Sequence, residues 1–154
     1  MYIALHTMQC TLVIIKPDAV ARGLVGKITT RFEERGLQLI ACNMLRATED
    51  TLRQHYHHLE TSPYFPQILQ SMTAGPVVTQ VWYGLNAVAI VRAMLGATDP
   101  QTALPGTIRG DYGLHIGRNL CHASDSAENA NMEIALWNMQ VVVSDNTVSK
   151  LIYR

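Results

Sequence analysis

Apolar residues along this chain follow two patterns, short continuous blocks typical of buried strands and a four-residue period typical of amphipathic helices. The block at 10–15 is rich in β-branched residues and ends at Lys16, because the proline that follows cannot continue a hydrogen-bonded ladder. Over residues 19–35 the apolar positions recur every fourth residue, which predicts one helix ended by Gly36. Imperfect alternation over 37–45 predicts the second strand.

The remainder of the chain predicts further segments in the order helix, helix, strand, helix, loop, strand and helix. These segments cover residues 48–59, 63–75, 77–83, 87–95, 96–117, 116–122 and 124–137. Thr48 and Pro63 favour helix starts, and Ser124 or Asp125 is the expected N-cap of the last helix. Strands and helices in this order predict one α+β domain of the split βαβ type.

Size and composition restrict the class of protein. The chain has 154 residues, 48% of them hydrophobic, which suits one domain spanning residues 1–154. No apolar run approaches the roughly 20 residues needed to span a bilayer, so we expect no membrane partner. Basic and acidic side chains balance at 12 each, which leaves no broad field to attract nucleic acid.

The start of the chain and its cysteines add expectations about processing and location. Residues 1–7 lack a basic start and a small-residue cleavage pattern, so we interpret them as a short extension rather than a secretory signal. The three cysteines, Cys10, Cys42 and Cys121, are widely spaced and do not suit a disulfide framework or a thiolate zinc site. A reducing cytoplasm is the expected location.

Two motifs invite a phosphate-loop or metal interpretation, and neither is favoured. In the segment 23–29 only two residues separate the glycines, and an isoleucine separates Lys27 from the threonine, so a helix surface is favoured. His55, His57 and His58 cluster near a predicted helix end, yet no carboxylate or cysteine lies at ligand spacing. We therefore expect a solvated helix end there.

The segment 119–126, Asn-Leu-Cys-His-Ala-Ser-Asp-Ser, places His122 at a strand end just before a helix whose N-terminal amides can receive an anion. Glu133 lies nine residues beyond Ser124, on the inner half of that helix. A carboxylate bonded to one imidazole nitrogen fixes the tautomer and leaves the other nitrogen as a nucleophile. A buried structural histidine fits the same pattern, so this segment alone leaves both interpretations open.

Cationic side chains around the long loop favour phosphate binding. Arg92 and Arg109 bring two guanidinium groups, with the hydroxyl of Thr98, into one region of the chain, and guanidinium suits bidentate contact with phosphate. Lys16, at the end of the first strand, adds a point charge. The arginines expected to form surface ion pairs instead are Arg22, Arg31 and Arg46.

Four motifs carry a resemblance to the nucleoside diphosphate kinase family over about residues 8–137. They are Thr-Leu-Val-Ile-Ile-Lys-Pro-Asp-Ala at 11–19, Ser-Met-Thr-Ala-Gly-Pro at 71–76, Pro-Gly-Thr-Ile-Arg-Gly-Asp at 105–111 and Gly-Arg-Asn-Leu-Cys-His-Ala-Ser-Asp-Ser at 117–126. The last of them, a histidine box, is the most specific. Their order and spacing match those of the family.

The resemblance implies a ferredoxin-like α+β fold, βαββαβ, in which helices flank an antiparallel four-stranded sheet. It implies ping-pong transfer of the γ-phosphoryl group from a nucleoside triphosphate to a nucleoside diphosphate through a phosphohistidine at His122, oriented by Glu133 and Ser124. Residues implied to hold the phosphates, the ribose or the phosphohistidine are Lys16, Tyr56, Arg92, Thr98, Arg109 and Asn119. Residues implied to bind the base are Tyr64, Ile68 and Ile116, and stacking there predicts broad nucleotide choice. Mg²⁺ is implied on the nucleotide phosphates, without a direct protein ligand.

Some positions depart from the family pattern. Ser62 stands where the family often has a basic residue, His58 where it often has an acidic one, and the tail over 139–154 matches poorly. Because the tail and the long loop help to build subunit contacts in the family, a homo-oligomer is implied, with a hexamer favoured over a tetramer. Two alternatives stay open, a regulatory member of the same fold without turnover and a nucleic-acid-binding protein, for which no aromatic-basic stripe is present.

Overall fold

The computed structural model describes residues 7–142, and within them four antiparallel strands form one sheet in the order β2-β3-β1-β4. The elements are β1 (Met8–Ile15), α1 (Pro17–Ala21), α2 (Val25–Glu34), β2 (Gln38–Leu45), α3 (Glu49–His55), a 3-10 turn (His57–Leu59), α4 (Phe65–Thr73), β3 (Val77–Leu85), α5 (Ala87–Leu95), α6 (Ile108–Tyr112), β4 (Cys121–Ala123) and α7 (Ala127–Leu136). Strand β1 pairs with β3 along its whole length and with β4 near its end. The predicted ferredoxin-like α+β fold is confirmed.

Residues 12–15, the second half of strand β1, are all apolar because both faces of the sheet are covered there. Successive side chains of a strand point to opposite faces. Val13 and Ile15 accordingly pack into one buried cluster with Phe32 of α2, whereas Leu12 and Ile14 pack into a second cluster with side chains of α3 and α4. All of these side chains are 0% exposed. Strand β1 is therefore a fixed support for whatever projects from its end.

The single helix predicted over 19–35 is wrong, because the chain forms α1 and α2 with a turn between them. Gly23 in that turn has φ +67°, a left-handed conformation that glycine adopts without a Cβ clash. The apolar period continues across the break because Leu24 and Ile28 are both buried. The segment 23–29 is thus a turn followed by the start of α2, so the expected helix surface is present only from Val25 onward.

The long loop and the fourth strand also differ from the prediction. The loop over 96–117 contains α6, whose N-cap Thr107 accepts a hydrogen bond from Gly110 N at 3.1 Å. The strand predicted over 116–122 is reduced to β4, because Leu120 has φ 71° and turns the chain just before it. Local turn geometry, which apolar spacing does not encode, causes both differences.

The cap of α7 was assigned to the wrong serine by the sequence. Ser126 caps the helix, accepting a hydrogen bond from Asn129 N at 3.0 Å. Neither Ser124 nor Asp125 has that role, since the helix begins later than predicted. The Ser124 side chain therefore does not cap α7, and it is fully buried.

The other predicted elements are confirmed with shifted ends. Strands β2 and β3 and helices α4 and α5 occupy the predicted segments, and the helix predicted over 48–59 is α3 followed by the 3-10 turn. Residues 1–6 and 143–154, which hold most of the predicted extension and tail, lie outside the described residues. Among residues 7–142 no helix has the length and apolarity needed to cross a membrane.

Candidate active site

A cleft of about 1530 Å³ opens where the ends of β1 and β4 meet α3, α4, α7 and the long loop. The predicted site residues that line it are Lys16, Tyr56, Tyr64, Ile68, Arg92, Thr98, Arg109, Ile116, Asn119, His122 and Glu133. Ser124 lies fully buried behind this surface. The fold thus gathers the predicted residues, which are scattered along the chain, around one cavity.

His122 is the middle residue of β4 and pairs with Ile14 of β1 across the sheet. Its Nε2 lies 3.0 Å from Glu133 Oε1, a contact in which a neutral imidazole donates to the carboxylate. The second carboxylate oxygen, Oε2, accepts from Ser124 Oγ at 2.5 Å. Nδ1 of His122 has no hydrogen-bond partner within residues 7–142, so its lone pair is available to a ligand.

Ser124 connects this pair to the sheet. Leu12 N donates to Ser124 Oγ at 3.1 Å, and Ser124 N donates to Leu12 O at 3.1 Å. The hydroxyl has one proton, and the carboxylate of Glu133 at 2.5 Å is a stronger acceptor than Leu12 O at 3.4 Å. Glu133 is therefore positioned by the central strand through a buried serine.

His55 is not the solvated residue that the sequence predicts. It lies on the apolar face of α3, three residues after Leu52, and its side chain is 0% exposed. Trp137 Nε1 donates to His55 Nδ1 at 3.2 Å, and the rings of His55 and His122 meet edge to face with centroids 4.4 Å apart. Burial, with a smaller contribution from His122 when that ring is protonated, lowers the pKa of His55 to about 2, so His55 stays neutral. The spacing from Leu52 is the sequence feature that could have placed it inside.

Lys16 extends from the end of β1 into the cleft. Its Nζ donates to Asn119 Oδ1 at 2.7 Å, and Asn119 Nδ2 donates to the Thr98 carbonyl at 3.0 Å. Burial and the charge of Arg109 lower the pKa of Lys16 to about 8. The ammonium group is thus costly to keep charged in the free protein and is well placed for an anion.

Arg109 braces the backbone around the cleft. It is 8% exposed, and each of its three guanidinium nitrogens donates to a carbonyl oxygen. The acceptors are Asn119 O at 3.1 Å, Gly96 O at 2.9 Å and Cys121 O at 2.6 Å. Guanidinium carries five N–H groups, so others remain for a ligand. Arg92 is exposed and gives one N–H to Ala123 O at 3.3 Å.

A strained turn precedes β4. Leu120 is fully buried with φ 71°, and Cys121 N donates to Asn119 O at 2.8 Å across it. Asp18 holds the turn by accepting from Leu120 N at 3.2 Å. A left-handed backbone conformation is strained in a residue other than glycine, and such strain is found mainly at functional sites. No feature of the sequence indicates it, because leucine does not favour a left-handed backbone.

Three apolar side chains also line the cleft. Tyr64 is 66% and Ile116 is 53% exposed, and Ile68 is partly buried. An exposed aromatic ring beside aliphatic side chains is a surface on which a planar ring can stack.

Two buried groups complete the wall near His122. Tyr56 is 7% exposed, its ring centroid lies 6.2 Å from that of His122, and its hydroxyl lacks a hydrogen-bond partner within residues 7–142. Burial raises the pKa of Cys121 to about 12, so the thiol beside His122 is a packing group, as expected.

This chain is similar in sequence and in structure to known proteins of one family. A family model described as nucleoside diphosphate kinase matches residues 9–141. Nucleoside diphosphate kinase B of Rattus norvegicus is 52% identical over 130 residues, which are 84% of this chain and 86% of the rat protein. The crystal structure of the Encephalitozoon cuniculi nucleoside diphosphate kinase has a TM-score of 0.91 and 42% identity, covering 94% of this chain and 99% of that one. The Halobacterium salinarum enzyme, solved in complex with CDP, has a TM-score of 0.92 and 40% identity, covering 96% of this chain and 100% of that one.

Proposed function

This chain belongs to the nucleoside diphosphate kinase family and is a nucleoside diphosphate kinase, and we propose that Nδ1 of His122 is the atom that carries the phosphoryl group. The observation behind this proposal is the 3.0 Å hydrogen bond between His122 Nε2 and Glu133. That bond fixes the proton on Nε2 and leaves the Nδ1 lone pair facing the cleft.

Both half-reactions of the phosphoryl exchange take place at Nδ1 of His122. In the first half-reaction, Nδ1 attacks the γ-phosphorus, the bond to the β–γ bridging oxygen breaks, and the nucleoside diphosphate leaves with that oxygen. In the second half-reaction a terminal oxygen of the acceptor diphosphate attacks phosphorus, the N–P bond breaks, and Nδ1 recovers its lone pair. Glu133 accepts from Nε2 throughout and stabilises the positive charge that the ring acquires.

The cationic side chains are proposed to hold the transferring phosphates. Lys16, Arg92 and the free N–H groups of Arg109 surround the cleft beside His122. Phosphoryl transfer requires positioning and charge neutralisation more than covalent work, which such groups supply. Thr98 and Asn119 add polar contacts, with Asn119 also orienting Lys16.

The cleft suits a nucleotide that brings its own Mg²⁺. Its carboxylates among residues 7–142 are Glu133, committed to His122, and Asp125, which accepts from Asn129 Nδ2 at 2.5 Å. Direct Mg²⁺ ligation uses free carboxylate oxygens, so we propose no protein ligand. When bound on the nucleotide, the ion supplies charge neutralisation at the β- and γ-oxygens.

The remaining site residues are proposed to set the orientation of the nucleotide. Tyr64, Ile68 and Ile116 contact the base by its face, which accepts purines and pyrimidines alike. The buried, unpaired hydroxyl of Tyr56 donates to the phosphoryl group on His122 or to the sugar, gaining the partner it lacks in the free protein.

Labelling tests the carrier directly. The full chain is incubated with Mg²⁺ and ATP labelled in its γ-phosphate. We expect an acid-labile, alkali-stable label on the protein that added nucleoside diphosphate removes. His122→Ala must lose the label, whereas His57→Ala, a histidine on the rim of the same cleft, must keep it. Label that persists in His122→Ala contradicts the mechanism, and nucleotide binding without any labelling indicates the regulatory alternative.

We also propose a homo-oligomer, a hexamer rather than a tetramer, located in the cytoplasm. Leu104 and Leu114 on the long loop are 73% and 85% exposed, and Met44 on edge strand β2 is 64% exposed. These exposed apolar side chains are candidates for contacts between subunits. Free thiols on all three cysteines support a reducing compartment. Light scattering after size exclusion, and cell fractionation, test the two proposals.

A further inference from the structure

The cluster of His55, His122 and Glu133 has the composition of a transition-metal site. One ligand atom of each residue lies within 4.8 Å of those of the other two, and Glu133 Oε1 is close to both His122 Nε2 and His55 Nδ1. Glu133 Oε1 is 3.0 Å from the His122 nitrogen and 4.0 Å from the His55 nitrogen. We propose that these three atoms form an inhibitory site for Zn²⁺ or a similar borderline divalent ion, distinct from the nucleotide-borne Mg²⁺.

The two separations from Glu133 Oε1 are close to those of a tetrahedral site. Ligands at about 2.0 to 2.1 Å from Zn²⁺ lie about 3.4 Å apart, and the observed 3.0 Å and 4.0 Å fall on either side of that separation. Two imidazoles and a carboxylate are a familiar set for Zn²⁺ with an open fourth position. All three residues line the cleft, which provides entry and room for water.

The ligands are already restrained. Ser124 holds Glu133 through its other oxygen at 2.5 Å, so Oε1 stays directed at His122. His55 and His122 pack ring against ring, which limits their rotation. Metal ions bind neutral imidazole, and His55 Nδ1 accepts the indole N–H of Trp137, so this nitrogen carries a lone pair. Mg²⁺ prefers oxygen ligands in an octahedral arrangement and does not match this set.

Trp137 opposes metal binding. Its Nε1–H donates to His55 Nδ1 at 3.2 Å, which is the lone pair that the metal ion needs. The ion must displace this hydrogen bond, so the indole N–H competes with the ion for His55 Nδ1. Removing the indole N–H while keeping an aromatic ring is therefore expected to tighten metal binding.

Inhibition follows from the proton on His122, and this part rests on the proposed function. A neutral imidazole has one N–H, which Glu133 holds on Nε2. When a metal ion takes the Nε2 lone pair, that proton moves to Nδ1, and no proton is lost from the ring. Nδ1 then has no free lone pair to attack phosphorus. Metal binding therefore blocks formation of the phosphohistidine.

Metal binding is measured first, on the full chain without nucleotide. Zn²⁺ competes against a chromophoric chelator, and Co²⁺ reports tetrahedral geometry through its visible bands. We expect one ion per chain, bound about 100-fold more weakly by His55→Gln and about threefold to tenfold more tightly by Trp137→Phe. His57→Gln is the matched control, because His57 is exposed and its Nδ1 contacts Gln54 O. The proposal is overturned if His57→Gln weakens binding as much as His55→Gln, or if Trp137→Phe leaves the affinity unchanged.

Labelling of His122 with γ-labelled ATP is then followed with and without Zn²⁺. Zn²⁺ is expected to slow labelling of the wild-type chain, and to do so at lower concentration in Trp137→Phe, which retains all three ligands. Metal binding that leaves the labelling rate unchanged overturns the inhibitory role. Absence of labelling without Zn²⁺ instead counts against the proposed function, and the binding measurement still decides the metal site.

Discussion

Single residues decide the chemistry through the way Glu133 is held. Each of its oxygens has one partner, His122 Nε2 on one side and Ser124 Oγ on the other. A carboxylate with two fixed partners cannot rotate away from the imidazole, so the tautomer with a free Nδ1 persists between turnovers. Ser124 acts on the reaction only through Glu133, which makes it a positioning residue.

Ser124→Ala is predicted to lower kcat about tenfold or more, because a charge-assisted hydrogen bond to Glu133 is removed. It also leaves Leu12 N without its serine partner, which is expected to lower the free energy of unfolding by about 1 to 3 kcal/mol. Steady-state kinetics and urea denaturation measure the two effects.

Ser126→Ala is the matched control, since it removes only the cap of α7. We expect a loss of about 1 kcal/mol in stability and kcat within about twofold of wild type. A comparable fall of kcat in both variants would show that Ser124 acts by general stabilisation of α7 and not by orienting Glu133.

Nucleotide binding is predicted to weaken in alkaline solution because Lys16 loses its charge. Burial and the charge of Arg109 lower the pKa of its ammonium to about 8, so the free enzyme loses this charge as pH rises through that value. Binding of phosphate requires the charged form, and KM should therefore rise about tenfold between about pH 7 and about pH 9. Initial-rate kinetics across this range provide the measurement.

Lys16→Arg supplies the comparison, because guanidinium stays charged throughout this range. Its KM should remain level with pH, and a rise equal to that of wild type would assign the titration to another group. The lowered pKa of Lys16 also makes the stability of the fold depend on pH. The unfolded chain binds one more proton than the folded chain between about pH 8 and the ordinary lysine pKa of 10.5, so the Lys16 contribution to the free energy of unfolding increases with pH there.

Among the elements, the segment between α5 and α6 controls the shape of the cleft beside Thr98 and Arg109. Gly96 ends α5 with φ +81°, and its carbonyl accepts from Arg109 Nη1 at 2.9 Å. A Cβ on Gly96 would overlap the hydroxyl of Thr107, the residue that caps α6. Two helices and an arginine thus depend on one residue without a side chain.

Gly96→Ala is predicted to lower the free energy of unfolding by about 3 kcal/mol and to reduce activity, because strain and overlap combine. Gly106→Ala is the control, with φ +92° but no atom within 4 Å of the added Cβ, and should cost only about 1 kcal/mol. Chemical denaturation of both variants gives the comparison. Equal losses would mean that the contact with Thr107 is relieved at no cost.

Across the whole molecule, helix α2 and the turn before it anchor the long loop, which carries Thr98 and Arg109 of the cleft. Arg31 bonds to Asp111 Oδ2 at 2.8 Å and to the carbonyl of Gly106, and Arg22 donates to Tyr112 O at 2.7 Å. The surface ion pair expected for Arg31 is therefore present, but it joins two distant parts of the chain. Asp111 also accepts from Gly106 N, and these bonds lower the pKa of its carboxyl.

Arg31→Met is predicted to raise KM for the nucleotide about threefold or more while stability falls by no more than about 1 kcal/mol, as is usual for surface ion pairs. The reason is that the loop loses its anchor but not its packing. Arg53→Met, which removes exposed pairs with Glu49 at 3.5 Å and Glu60 at 4.0 Å but keeps an aliphatic chain beside the Phe65 ring, should leave KM unchanged. Kinetics with both variants test this, and an unchanged KM in Arg31→Met would contradict the anchoring role.

Prediction from sequence succeeded where local pattern and burial agree. The apolar run of β1 and the period of α5 correspond to elements in the structure, because covering both faces of a sheet or one face of a helix dictates where apolar residues fall. It failed at Gly23 and Leu120, where the turn depends on backbone torsion, and at His55, whose polarity concealed a buried position.

By itself the sequence determined the α+β order, the family and the set of residues that line the cleft, since these follow from spacing and motif. The tertiary structure decided which imidazole nitrogen of His122 is free, that Ser124 serves Glu133 instead of capping α7, and that His55 lies against the carrier histidine. These facts depend on contacts between β1, α3, β4 and α7, which are far apart in the chain. Hydrogen-bond direction and ring packing are properties of such contacts, and linear spacing carries no record of them.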